Sequence, residues 1–182
     1  MRIGCVYSIE NYCSIDKPLR SPMEIPFGIS IIATVLKVAG HDVDLFVISP
    51  VTPVRKILEE YIRVKKPQLF CLSAVSSQFP PIEEVAALIK EIDPDIFVIL
   101  GGHHASLAPE QAIKCANLDA ICVSEGDVPV VELARQLEEE KWPSGISNLW
   151  IRHPKSGEIE KNPTAPFNED LDTIPHVDRT LW

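Results

Sequence analysis

The chain has 182 residues, enough for one domain with a sizeable core and a tail. Its 46% hydrophobic and 24% charged residues are the composition of a globular protein, and no apolar run reaches the ~18 residues of a membrane span. A net charge of -9 with no Lys/Arg stripe argues against a nucleic-acid partner. The Met1-Arg2 start leads straight into a strand-like segment without the zones of a signal peptide, so a cytoplasmic protein without membrane insertion is expected.

Alternation around Ile3, Cys5 and Tyr7 predicts a first strand over residues 1–7. A loop with Pro18, Pro22 and Pro26 follows. Phe27, Ile31, Ile32, Val35, Leu36 and Ala39 have helical spacing, and Gly40 stands where a C-cap glycine belongs. The next elements are a strand over 43–48, a helix over 53–65 and a nearly all-apolar strand over 68–75, as a sheet covered on both faces requires. Pro80 and Pro81 open a helix that runs to about Ile92. A strand over 95–100 ends in Gly101-Gly102, then come a short helix over 109–115, a strand over 118–123 and a helix over 127–141.

Five strand–helix alternations predict an α/β fold of three layers: a Rossmann- or flavodoxin-like, five-stranded parallel sheet with helices on both faces. The 2-1-3-4-5 strand order is the prior for five such units. After Pro143 the rhythm changes, and strands over 146–152 and 158–161 flank a turn. The predicted division is an α/β domain over 1–142, an appended β-hairpin over 143–162 and a linker over 163–182. Phe167, Leu181 and Trp182 in that last segment are written to pack on something.

The five cysteines are odd in number, and no two sit two or three residues apart. That argues against a disulfide framework and a local zinc or iron–sulfur site. Cys5, Cys71 and Cys122 fall in apolar strands as small core residues, whereas Cys13 lies in a polar loop.

Open α/β sheets bind ligands beyond the carboxyl ends of their strands, at the switch in strand order, here between strands one and three. The loops there carry Tyr7; Ser73, Val75, Ser76, Ser77 and Gln78; Gly101, Gly102 and His103; and Glu125 and Gly126. Hydroxyl and amide groups bond a neutral polar ligand in either direction. Ser77 could equally cap the following helix, and Asp127 is placed to cap the last one. The glycines either make a tight turn or let a flat ligand approach the backbone. His103 and His104 lack a metal-ligand partner at suitable spacing, and a solvent-facing role is the simpler one. Phosphate loops of the GxxxxGKS or GxGxxG type and a Gly-x-Ser-x-Gly elbow are missing. The site is that of a holder rather than a catalyst.

Several segments together carry a resemblance. They are Pro26-Phe27-Gly28-Ile29-Ser30 with Ala39-Gly40-His41-Asp42-Val43, Leu100-Gly101-Gly102-His103-His104-Ala105-Ser106, Ser124-Glu125-Gly126-Asp127, and Asp170-Leu171-Asp172-Thr173-Ile174-Pro175. In this order they resemble the N-terminal cobalamin-binding domains of radical S-adenosylmethionine enzymes. That group includes cobalamin-dependent methyltransferases and the anaerobic magnesium-protoporphyrin IX monomethyl ester oxidative cyclases. The resemblance implies a domain gripping cobalamin by its dimethylbenzimidazole tail, beside Ser73 and Gly101-Gly102.

The sequence departs from related patterns in two places. Many cobalamin proteins carry Asp-x-His-x-x-Gly after the first strand, but the corresponding loop, Tyr7 to Pro18, contains no His. Base-off cobalamin without a His ligand from that loop is therefore expected, with His103 the lesser candidate. The Cys-x-x-x-Cys-x-x-Cys that would hold a [4Fe–4S] cluster for S-adenosylmethionine is not in this sequence. Cluster and S-adenosylmethionine are expected only in a missing catalytic radical SAM domain, the partner of this one. A degenerate fold-alike that binds no cobalamin and serves as a scaffold or gating module is the alternative. A nucleotide binder is disfavoured by the missing glycine-rich loop after strand one, and a flavin binder because Trp142, Trp150 and Trp182 lie outside the site loops.

Overall fold

The computed structural model describes residues 1–9 and 26–181. The proline-containing first loop and Cys13 lie outside the described residues, apart from the loop's two ends. Five strands form the parallel part of the sheet: β1 (Arg2–Ser8), β2 (Asp42–Ile48), β3 (Leu69–Ser73), β4 (Phe97–Gly101) and β5 (Ala120–Cys122). Their order is β2-β1-β3-β4-β5, as expected. The hairpin strands β6 (Leu149–Arg152) and β7 (Ile159–Lys161) add antiparallel to β5, as an appended hairpin is expected to, and bring the sheet to seven strands.

The apolar strands are sandwiched because each feeds both faces. On β3, Leu69 and Cys71 point to one side, and Phe70 and Leu72 to the other. Helices α1 (Phe27–Val38) and α6 (Asp127–Glu138) cover the first side with Ile29, Ala33, Leu36, Val130 and Leu133. Helices α2 (Val54–Lys65) and α3 (Phe79–Ile92), with the short α4 (His103–Leu107) and α5 (Pro109–Ala112), cover the second. Both clusters are almost solvent-free, which is the source of the domain's stability.

The end of α1 shows how local sequence sets the frame. Gly40 takes φ +92°, its N–H bonds the Lys37 carbonyl, and the His41 N–H bonds the Leu36 carbonyl. This pair of bonds is a Schellman stop, and it turns the chain directly into β2.

Two helix starts differ from expectation. Gly126, not Asp127, occupies the N-cap of α6, and Asp127 is its first residue. A carboxylate in the first turn still meets the positive end of the helix dipole. Ser77 does not cap α3; Gln78 holds that position without a side-chain cap bond. Helix α4 replaces what reads as loop after the paired glycines. Among the described residues no helix is long and apolar enough to cross a membrane.

Candidate functional site

A cavity of about 390 Å³ opens at the carboxyl ends of β3, β4 and β5, on the α1/α6 side of the sheet. Its floor is Cys71, Leu72, Ile99 and Cys122 from the strands. Ile29, Ile31 and Ile32 of α1 form one wall, Val130 of α6 another, and Leu149 and Ile174 close it. Ser73, Ser106, Ser124, His103, Glu125 and Asp127 add polar groups to this lining. The result is an apolar slot with several polar groups, the composition of a small-molecule site.

One glycine at the slot's edge is demanded by the backbone. Gly102 sits at φ +85°, and a Cβ there would lie 2.8 Å from Ser73 Oγ and 2.9 Å from the Ala74 carbonyl oxygen. Only glycine tolerates that backbone so close to β3. A Cβ on Gly28, at the cavity wall, would meet nothing within 4 Å. The two loops at the slot are stitched together, since the Ala74 N–H donates to the Gly101 carbonyl and the His104 N–H to the Ala74 carbonyl.

The third loop is held more tensely. Ser124 takes φ +81°, rare for a residue with a side chain, and its N–H donates to Ser106 Oγ at 3.0 Å. Asn148 Nδ2 donates to the Glu125 carbonyl at 2.7 Å. The thiols beneath are inert. Burial pushes Cys122 up to about 12, helped by the nearby negative charges of Glu125 and Asp127. A hydrogen bond with Cys5, together with burial, raises Cys71 well above an ordinary thiol. Protonated thiols give a neutral, polarisable floor, suited to a flat uncharged heterocycle rather than to nucleophilic chemistry.

Six of the sequence-selected residues line this slot: Ser73, Gly101, Gly102, His103, Glu125 and Gly126. Tyr7, Val75, Ser76, Ser77 and Gln78 do not. They form a separate polar set at β1 and the β3–α3 loop, where Gln78 Nε2 donates to Tyr7 Oη at 3.3 Å and the Val75 N–H to Gln78 Oε1 at 3.4 Å. The slot therefore lies over β3–β4–β5, one strand away from the β1/β3 switch point.

The two histidines part company. His103 is exposed at the slot, whereas His104 is buried, stacked on Phe79 with ring centroids 4.1 Å apart. Its Nδ1 shares a hydrogen bond with Ser76 Oγ at 3.2 Å, so the solvent-facing reading fails for His104. Its Nε2 is the single buried side-chain nitrogen or oxygen without a hydrogen-bond partner among the described residues.

Sequence reading missed Ile31, Ile32, Ser106 and Ile174 as cavity residues. Helical spacing signals the isoleucines, but it marks them as core. Ile174 carries no periodic signal at all. No group of three or more His, Cys, Asp or Glu residues suited to a metal ion occurs among the described residues.

The family model described as "B12 binding domain" matches residues 22–134. An uncharacterized methyltransferase of Pyrococcus horikoshii is 26% identical over 155 residues, covering 82% of this chain and 32% of that protein. The anaerobic magnesium-protoporphyrin IX monomethyl ester cyclase of Rubrivivax gelatinosus is 26% identical over 157 residues, covering 82% of this chain and 28% of that protein. The chain thus spans about a third of the length of the curated relatives it matches. Among solved structures, the radical S-adenosylmethionine methyltransferase TsrM from Kitasatospora setae, with cobalamin and a [4Fe-4S] cluster bound, superposes with a TM-score of 0.73 at 17% identity. That match covers 93% of this chain and 30% of TsrM. The cobalamin-dependent S-adenosylmethionine radical enzyme OxsB, with aqua-cobalamin and S-adenosylmethionine bound, gives 0.69 at 20% identity, covering 91% of this chain and 22% of OxsB. These two likenesses concern the fold.

Proposed function

The chain belongs to the B12-binding domain family, and on that premise we propose that it is the cobalamin-binding module of a radical S-adenosylmethionine enzyme, with the slot over β3–β5 holding the cofactor's nucleotide tail. The observation that carries this is the slot itself. At about 390 Å³ it lies toward the small end of the ~300–1,000 Å³ range of ligand pockets. That is room suited to a flat bicyclic base with its sugar rather than to a corrin macrocycle.

The residues fit such a tail. Ile29, Ile32 and Val130 would pack on the faces of the base, and the neutral thiols of Cys71 and Cys122 would lie beneath it. Ser73, Ser106 and Ser124 would meet the polar atoms of the sugar and ring. Gly102 lets the β4–α4 turn pack against Ser73 and Ala74 at the slot's edge. A tail held in the slot would be kept away from cobalt, and the cofactor would then be base-off. With no His in residues 8–26, that loop would offer cobalt no imidazole. His103 is the one histidine at the slot among the described residues.

When bound, cobalamin supplies a cobalt centre that can carry a methyl group or exchange single electrons. The chain's own residues bind, orient and shield it. The [4Fe–4S] cluster and S-adenosylmethionine belong, in this reading, to a catalytic domain outside this chain, where methyl transfer or oxidative cyclisation of a tetrapyrrole-type substrate would occur. A scaffold without cofactor is the weaker reading, because a scaffold has no use for an open slot lined by glycine and serine.

Cobinamide, which retains the corrin but lacks the nucleotide tail, tests the assignment. Its affinity should fall at least tenfold below that of cobalamin, the weight of about 1.4 kcal/mol of tail contacts. Equal affinities in a fluorescence-quenching titration would place the tail elsewhere.

A further inference from the structure

We propose that residues 163–181 form a strap that walls the cofactor slot, with Ile174 as a contact residue, and that the ligand leaves by displacement of this strap. The inference rests on the cobalamin reading above. It concerns a segment that the family match, ending at residue 134, leaves untouched and that sequence alone casts as a linker.

The strap is pinned at both ends. At its start, the Asn148 N–H donates to the Pro163 carbonyl at 3.0 Å, and Asn148 Oδ1 accepts from the Ala165 N–H at 2.6 Å. At its far end, the Asp178 N–H donates to Thr34 Oγ1 at 2.9 Å, and the Asp178 carboxylate pairs with Lys37. Leu181 packs on the α1/α6 core cluster. Thr34 and Lys37 lie on α1, the helix that supplies Ile31 and Ile32 to the slot.

Between the pins, residues 166–173 are exposed, and the chain first becomes half-buried at Ile174, which lines the slot. A local turn delivers it there. Asp170 accepts from the Asp172 N–H, and Thr173 Oγ1 donates back to the Asp170 carbonyl. This wall is held lightly. An exposed ion pair contributes little, and a span with few buried contacts opens at low free-energy cost. The rest of the slot is strand ends, α1, α6, the short α4 and the 124–126 loop, and the two loops are tied to the frame by the Ala74–Gly101, His104–Ala74, Ser124–Ser106 and Asn148–Glu125 hydrogen bonds. The strap is therefore the wall that can move.

The test measures hydroxocobalamin release from the full chain, by absorbance, in the presence of excess competing cobalamin-binding protein. Ile174→Ala should speed release about tenfold, the effect of one ~1.4 kcal/mol contact. Ile174→Val should stay within about threefold of wild type, and Leu171→Ala, an exposed strap residue outside the slot lining, should match it. Bound cobalamin should also slow thermolysin cleavage within residues 167–174. If wild type binds but all variants release at one rate and cleavage is unprotected, the strap is overturned while the cobalamin reading stands. A wild-type chain that binds no cobalamin overturns both.

Discussion

At residue 102 the backbone and the site make the same demand. A left-handed φ and a Cβ position 2.9 Å from a carbonyl oxygen leave no place for a side chain. Gly102→Ala should destabilise the domain by about 1–3 kcal/mol, read from urea denaturation. An unchanged midpoint would mean that the two loops yield without cost. His104 is the second residue to watch. Burial lowers its pKa below the ordinary 6.5, and burial followed by the N-terminal ammonium lowers that of His41. The unfolded chain takes up these protons near pH 6.5, whereas the folded chain takes them up only at lower pH. Stability from this source is therefore complete above pH 6.5 and is lost as pH falls through that value toward the depressed folded pKa. His104→Phe keeps a ring on Phe79 and removes one titrating group. It should flatten the decline in stability between about pH 7 and 5. Parallel wild-type and variant curves in that window would show that His104 does not titrate differently on folding.

Among the elements, the turn before β6 joins the slot to the strap. Asn148 is buried at φ +67° and bonds the Glu125 carbonyl on one side and the Ala165 N–H on the other. Asn148→Ala would leave both backbone groups without that partner and force alanine into a left-handed conformation. The expected loss is about 2–3 kcal/mol, with faster proteolysis near residue 163. Proteolysis at the wild-type rate would remove Asn148 as the pin.

The elements also show what the sequence discloses and what it withholds. Strands β1, β3 and β4 were readable because alternating or wholly apolar runs mark buried sheet, and Gly40 because a helix stop needs its left-handed backbone. Ser73 and Gly101-Gly102 were readable as slot residues because strand ends in this topology face ligands. Helix α4 was not, since five residues opening His103-His104 carry no periodicity. The Ser76–Gln78 turn follows β3 but does not line the slot, because sequence does not say which way a loop folds over a sheet. Ile174 was invisible because its burial depends on anchors at residues 34, 37 and 148.

For the whole molecule, the architecture divides stability from binding. Two apolar clusters, one on each face of the sheet, hold the frame, and the slot forms where one of them ends at the strand termini. The frame is held by these clusters, and the slot lies at its edge. The measurement that tests this most directly is a calorimetric titration of the chain with hydroxocobalamin, with the absorbance spectrum of the bound form. One cobalamin per chain with a base-off spectrum is the predicted result. Saturable binding with a base-on spectrum would contradict the tail in the slot, and no binding at all would contradict the assignment of the slot to cobalamin.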